Sequence, residues 1–186
     1  MSQGDRSTDQ ICVDMPLGES ALKLPRAGVK PTDYFASLVK GELFGDAIAF
    51  MAHLLPKREA VWWGCLCVEY VSNGKLPPVE EAALAGAVRW AMDPSEPNRR
   101  AAQALGKAAK ASTPAGSVAL AAFWSGGSIS LPDLPEVPPQ PKQSAQAITG
   151  ALKIAATRLP PDQKVTCQRQ FLALAMEVAN GSNRWA

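Results

Sequence analysis

One histidine, His53, is the whole imidazole supply of this 186-residue chain, and that narrows the chemistry open to it. A nucleophile–histidine–acid triad would have to be built on His53, and no small-residue elbow around a serine accompanies it. A metal site of ordinary type needs three or four clustered ligands. His53 has no cysteine or carboxylate at ligand spacing, so it is expected to be a structural or partly exposed side chain on the helix that carries Phe50 and Leu54. Cys65 and Cys67 stand two apart. On a helix this turns them about 200° from one another, so they cannot grip one ion, and both are expected to fill core positions as small hydrophobes.

The other candidates are weaker still. Ser125-Gly126-Gly127-Ser128 is glycine-rich, but it lacks the lysine and the strand–loop–helix setting of a phosphate loop, and reads as a helix cap and hinge. Glu80 and Glu81 are the one close carboxylate pair in an ordered region, and acid–base work on carboxylates alone is possible in principle. Two anions in a first helical turn, favoured by the helix dipole, account for them more simply. Arg99, Arg100, Lys107 and Lys110 fall within about a 100° arc if one helix carries them. Such a basic stripe could meet phosphates, yet no aromatic residues interleave with it, so a solvated outer face is the better reading. No metal site and no cofactor are expected.

The totals agree with a folded, near-neutral chain. Hydrophobic residues make up 47% and charged residues 19%, a globular balance rather than a disordered one. A formal net charge of +2 gives no long-range pull toward nucleic acid or an anionic membrane. Four cysteines without a framework spacing fit a reducing compartment. The polar, acidic N-terminus lacks the basic and apolar segments of a secretory signal, and no apolar run reaches the roughly 18 residues that cross a bilayer. The expectation is a soluble, cytoplasmic protein that does not engage a membrane.

The elements that must position these side chains read as helices punctuated by proline, of which there are sixteen. Residues 1–30 show few periodic signals and are expected to form an extended or partly disordered arm across the domain. A helical body follows over 31–130. Thr32 and Asp33 offer a first N-cap, Pro56 separates two helices, and residues 57–71 read as a central helix, apolar nearly all round and stopped at Ser72-Asn73-Gly74. In the helix opened by Pro77-Pro78, the stripe Leu84, Val88, Ala91, Met92 is expected to face inward. After Pro97, the residues Ala101, Leu105, Ala108 and Ala109 are expected to do the same. Residues 131–143 hold five prolines and read as a stiffened linker. Residues 144–182 read as a helical hairpin packing on the body, with 183–186 as a tail.

This predicts an all-α protein, an irregular bundle of about eight helices. Between Pro56 and Trp124 the helices recur at roughly twenty residues, so a HEAT-like solenoid in the middle part is the alternative architecture. The tryptophans are the candidate contact residues, since tryptophan buries much area and often anchors interfaces. Trp62 and Trp63 are adjacent and point to different sides of a helix. A partner-binding groove is expected near Trp63, Trp90 and the segment Phe123, Trp124, Ser125, Gly126, Gly127, with Trp63 itself more readily a core residue than a contact. Trp185, in the tail, is expected to dock on the body or on a partner.

The stretch Leu54-Leu55-Pro56-Lys57-Arg58-Glu59-Ala60-Val61-Trp62-Trp63-Gly64-Cys65, followed by a proline-opened alanine-rich helix and Ala121-Ala122-Phe123-Trp124-Ser125-Gly126-Gly127-Ser128, resembles a family of small, uncharacterised bacterial helical proteins. The resemblance runs from about Thr32 onward. Families of this kind are associated with type VI secretion genes, and the resemblance implies an accessory or adaptor role; it carries over no catalytic residue.

Residues and resemblance together lead to a non-catalytic protein–protein interaction module, an adaptor or chaperone-like accessory of a bacterial secretion system, whose partner is another protein. The competing expectations are a small hydrolase-type enzyme working through carboxylates, and a weak nucleic-acid binder using the basic helix face.

Overall fold

The computed structural model describes residues 6–13, 15–131 and 133–183, and among these the regular elements are all helical. Two short helices come first, α1 (Thr8–Val13) and α2 (Glu19–Leu22). The body follows as α3 (Pro31–Lys40), α4 (Phe44–Leu54), α5 (Lys57–Ser72), α6 (Pro78–Met92), α7 (Glu96–Ala109) and α8 (Pro114–Phe123). After a long surface loop come α9 (Gln143–Ala156), a 3-10 turn (Pro161–Gln163) and α10 (Lys164–Ala179). The protein is all-α, as the patterning predicts, with ten α-helices among the described residues rather than about eight. The difference lies in α1 and α2.

Proline sits at the first or second position of α3, α6, α7 and α8, where its missing N–H costs no hydrogen bond and its fixed φ is already helical. In α3 this role falls to Pro31, so Thr32 and Asp33 lie inside the first turn instead of capping it. The Thr113 hydroxyl does cap α8, accepting from the Gly116 N–H at 3.1 Å. Asn73 ends α5 in the left-handed region at φ 48°, as the Ser72-Asn73-Gly74 stop predicts.

All ten residues of α8 are buried, and that helix packs on α5, α6, α7 and α9 at once. A solenoid helix touches only its sequence neighbours. Here α9 also reaches α4 and α5, and α10 packs on α4 and α5, so the molecule is a bundle and the solenoid alternative fails. The closest approaches are made by small residues. A Cβ added to Gly106 of α7 would stand 3.0 Å from the Gly116 carbonyl oxygen and 3.1 Å from the Leu120 nitrogen of α8, so the two backbones nearly touch.

Two expectations about organisation need correcting. The described part of the N-terminal arm is not simply extended. Its helix α1 packs on α4 with Ile11 fully buried, and the arm is tied down by Thr8 Oγ1 donating to the Val29 carbonyl, the Gly18 N–H donating to Asp46 Oδ1 at 2.8 Å, and the Tyr34 hydroxyl donating to the Ala21 carbonyl at 3.2 Å. The chain after the proline-rich stretch returns to the interior, where α9 packs on α4, α5 and α8. The loop before it is closed by the Ile129 N–H donating to the Val137 carbonyl at 2.8 Å. Finally, α9 and α10 touch each other little and insert separately, so they are not a hairpin laid on a finished body.

Candidate functional site

Of the stripe expected to face inward on α6, only Ala91 is buried; Leu84 and Val88 are half-buried and Met92 is 50% exposed. The buried residues of α6 are Glu80, Ala83, Gly86, Ala87, Trp90 and Ala91. At Gly86 the room is taken by the neighbouring helix: a Cβ there would lie 2.6 Å from Leu105 Cδ1 of α7, so the Leu105 side chain packs straight onto the α6 backbone. In α7 the buried residues are Arg99, Ala102, Gly106 and Ala109; Ala109 faces inward as expected, while Leu105 is half-buried and Ala108 exposed.

The displaced large residues form one wall of a groove of about 550 Å³ between α5 and α6. Leu84, Ala85, Val88 and Met92 come from α6; Trp62, Cys65 and Leu66 face them from α5. The helices run antiparallel. Arg58, in the first turn of α5, donates to the Ala91 and Met92 carbonyls at 2.6 and 2.8 Å and closes one end. Glu69 and Glu81 flank the other end, near the turn that joins the helices, and Arg89 stands by the first. Trp62 also donates its indole N–H to the Asn183 carbonyl at 3.2 Å, which orients the ring along the groove wall.

Of the residues expected to bind a partner, few reach solvent. Trp63 is 0% exposed, and its indole N–H donates to the Phe171 carbonyl at 2.7 Å. Trp90 and Phe123 are buried too. The structure therefore does not assemble the expected groove near Trp63, Trp90 and Phe123. Its surface counterpart is Trp62, one residue earlier and about 100° round the helix. Trp124, Ser125 and Gly126 are half-buried and Gly127 is exposed, but none of them lines the α5–α6 groove. Trp185 lies outside the described residues.

The basic stripe also divides. Lys107 and Lys110 are exposed, as expected of a solvated face. Arg99 is only 4% exposed and points inward, donating to the Phe123 and Ser128 carbonyls at 2.6 and 2.8 Å and pairing with Glu96 at 2.6 Å. Its guanidinium carbon lies 4.7 Å from the centre of the Phe123 ring. Arg100 donates to the Ser130 carbonyl at 2.7 Å, and Lys57 to the Ser125 carbonyl at 2.9 Å. Burial, with the charge of Arg6 nearby, pushes the Lys57 ammonium below its ordinary pKa. These cations clamp the glycine-containing loop after α8 by its carbonyls. Gly127 has a positive φ of 63°, and a Cβ there would stand 2.9 Å from an Arg99 nitrogen, so the loop needs glycine where it crosses the guanidinium.

Hydrogen bonds from Arg99, and then Arg100, hold the Glu96 carboxyl down at about 2, against a smaller upward push from burial. A carboxylate with a lowered folded-state pKa adds stability that is complete above its unfolded value, near 4.5, and fades as pH falls toward the folded one. The stability gap between the parent chain and Glu96→Gln is therefore expected to be present at neutral pH and to close between about pH 4.5 and 2. Urea midpoints measured across that range check it, and a gap independent of pH would remove Glu96 as its source.

The remaining chemical candidates do not converge. Glu80 is buried and pairs with Arg158 at 2.8 Å, while Glu81 is exposed at the groove. The four cysteines are buried and unpaired as disulfides. Burial pushes the Cys65 and Cys67 thiols far up and Cys167 to about 11, so these three stay protonated and packed. His53 is buried on α4. Among the described residues, no group of three or more histidine, cysteine, aspartate or glutamate side chains is placed to hold a metal ion, and no helix is long and apolar enough to cross a membrane.

No curated protein and no solved structure matches the chain. The Family of unknown function (DUF6931) matches residues 34–179, a span that runs from α3 to the last residue of α10 and holds both walls of the α5–α6 groove as well as the Arg99 clamp; the chain therefore belongs to the Family of unknown function (DUF6931).

Proposed function

We propose that this protein is a non-catalytic protein-binding module whose docking face is the groove between α5 and α6. The supporting observation is the row of large apolar residues that α6 leaves half-buried or exposed at the edge of the core. Leu84, Val88 and Met92 face Trp62 and Leu66 across an open channel, and a continuous apolar surface rimmed by charges is the usual mark of an interaction site. The resemblance to bacterial families associated with type VI secretion genes suggests the setting, an adaptor or chaperone-like accessory of that apparatus in the cytoplasm.

Ala85 is exposed on the α6 wall of the groove, so Ala85→Arg blocks the channel without entering the core. The tagged full-length chain, expressed in its own host, is expected to co-purify with one protein in near-equal amount. Ala85→Arg is expected to lose at least about nine-tenths of that protein, as truncating or blocking an interface centre does, while keeping the parent's unfolding temperature. Equal recovery by both chains, or none by the parent, would count the groove out.

A further inference from the structure

We infer that the occupant of the α5–α6 groove is an amphipathic α-helix of a partner protein, carrying basic side chains at one end of its apolar face and acidic ones at the other. The inference rests on the protein-binding reading above and adds the chemistry of the partner. Three observations carry it. The first is shape. The groove runs between two antiparallel helices, and from Trp62 to Glu69 its floor spans seven residues, about 10 Å of rise or two helical turns. A volume of about 550 Å³ takes about three large side chains, the number that a helix offers at i, i+3 or i+4, and i+7.

The second observation is that the charges are sorted by end. Glu69 lies three residues before the last residue of α5 and Glu81 three after the first of α6, so both flank the turn end. Arg89 flanks the opposite end, where Arg58 also brings its guanidinium to the α6 C-terminus. The third is that among the described residues Glu69, Glu81 and Arg89 take part in no ion pair, whereas Glu80, one residue from Glu81, is paired with Arg158. Glu81 and Arg89 meet only the favourable dipole ends of α6. Two unneutralised carboxylates held at one end of an apolar channel repel each other and attract cations. A partner that supplies them there, and an anion at Arg89, gains register as well as affinity. A uniformly charged helix satisfies only one end.

The probe is a fluorescein-labelled, alanine-based helix of about 18 residues, long enough to be helical alone. It carries three leucines on one face, with lysines flanking that face at one end and glutamates at the other. A second peptide carries glutamates at both ends. By fluorescence anisotropy, the full-length parent is expected to bind the two-signed peptide about tenfold more tightly than the doubly acidic one, as two exposed charge pairs allow. The variant Glu69→Lys/Glu81→Lys is expected to reverse that order, and added salt to shrink the difference in both.

If both peptides bind the parent equally and the lysine variant changes nothing, yet Ala85→Arg abolishes binding, the charge-sorted helix is overturned while the groove reading stands. Binding that Ala85→Arg leaves intact overturns both. Binding of neither peptide overturns the helical occupant, and the groove reading is then decided by co-purification alone. A concentration-dependent dimer that Ala85→Arg converts to monomer assigns the groove to a second copy of the chain, and overturns the inference as well.

Discussion

Alanine at Gly116 is expected to lower the stability of the protein by about 3 kcal/mol, at the upper end of overpacking costs. The added Cβ would lie 2.1 Å from the Lys110 carbonyl oxygen and 2.8 Å from Thr113 Oγ1. Neither neighbour is the free end of a flexible chain. The Lys110 carbonyl accepts from the Thr113 N–H at 3.1 Å and from its hydroxyl at 3.0 Å, and that hydroxyl caps α8 through the Gly116 N–H. To make room, α8 must shift or shed its cap, and α8 is the helix whose every residue is buried. Alanine's better helix propensity, about 1 kcal/mol, acts in the other direction and loses.

The matched control is Gly150, inside α9, where a Cβ would meet no atom within 4 Å. There the propensity term acts alone, and Gly150→Ala is expected to gain about 0.5–1 kcal/mol. Urea unfolding of the three chains, with unchanged slopes, reads both numbers. A Gly116→Ala chain as stable as the parent would mean that the α7–α8 junction has slack the close backbone approach does not suggest.

Arg99→Ala is expected to cost about 2–3 kcal/mol. The loss does not come mainly from the ion pair. Glu96 is 55% exposed on its side chain, so its carboxylate regains water when Arg99 goes. What remains is a pair of carbonyls, of Phe123 and Ser128, deprived of their donor, and a Phe123 ring stripped of its covering guanidinium. The consequence is local as well as global. Amides of residues 124–130 are expected to exchange with solvent faster in Arg99→Ala, while those of α5 and α9 slow or hasten only with overall stability. Arg99→Lys keeps the charge but not the planar fork that serves Glu96 and two carbonyls together, and is expected to recover less than half of the loss. A chain in which lysine restores full stability would show that charge alone holds the loop.

The residue pattern was enough for several features. Proline at helix starts, Asn73-Gly74 at a helix end and three- and four-residue apolar spacing mark where helices begin and stop, because those features act within one turn of backbone. The same local logic made Cys65 and Cys67 core residues. The resemblance pointed to a helical family of uncharacterised members, and the match over residues 34–179 places the chain in a family of unknown function. Which way a helix turns its faces is a different matter. In α6 Leu84, Val88 and Met92 had a good hydrophobic argument for the core, yet Ala83, Gly86, Ala87 and Trp90 took it.

Periodicity fixes the angle between side chains on one helix, and so it separated Trp62 from Trp63. It holds no information on how near the next helix comes. That distance decided the rest: α7 and α8 approach to backbone contact at Gly106 and Gly116, Trp90 went into the core while Leu84, Val88 and Met92 were left to line a groove, and Arg99 was drawn under a loop it had no sequence reason to meet. The helices and their ends were therefore determined by the chain's own local chemistry. The groove, the clamp and the choice of tryptophan were decided by packing, which depends on residues far apart in sequence arriving at the same place.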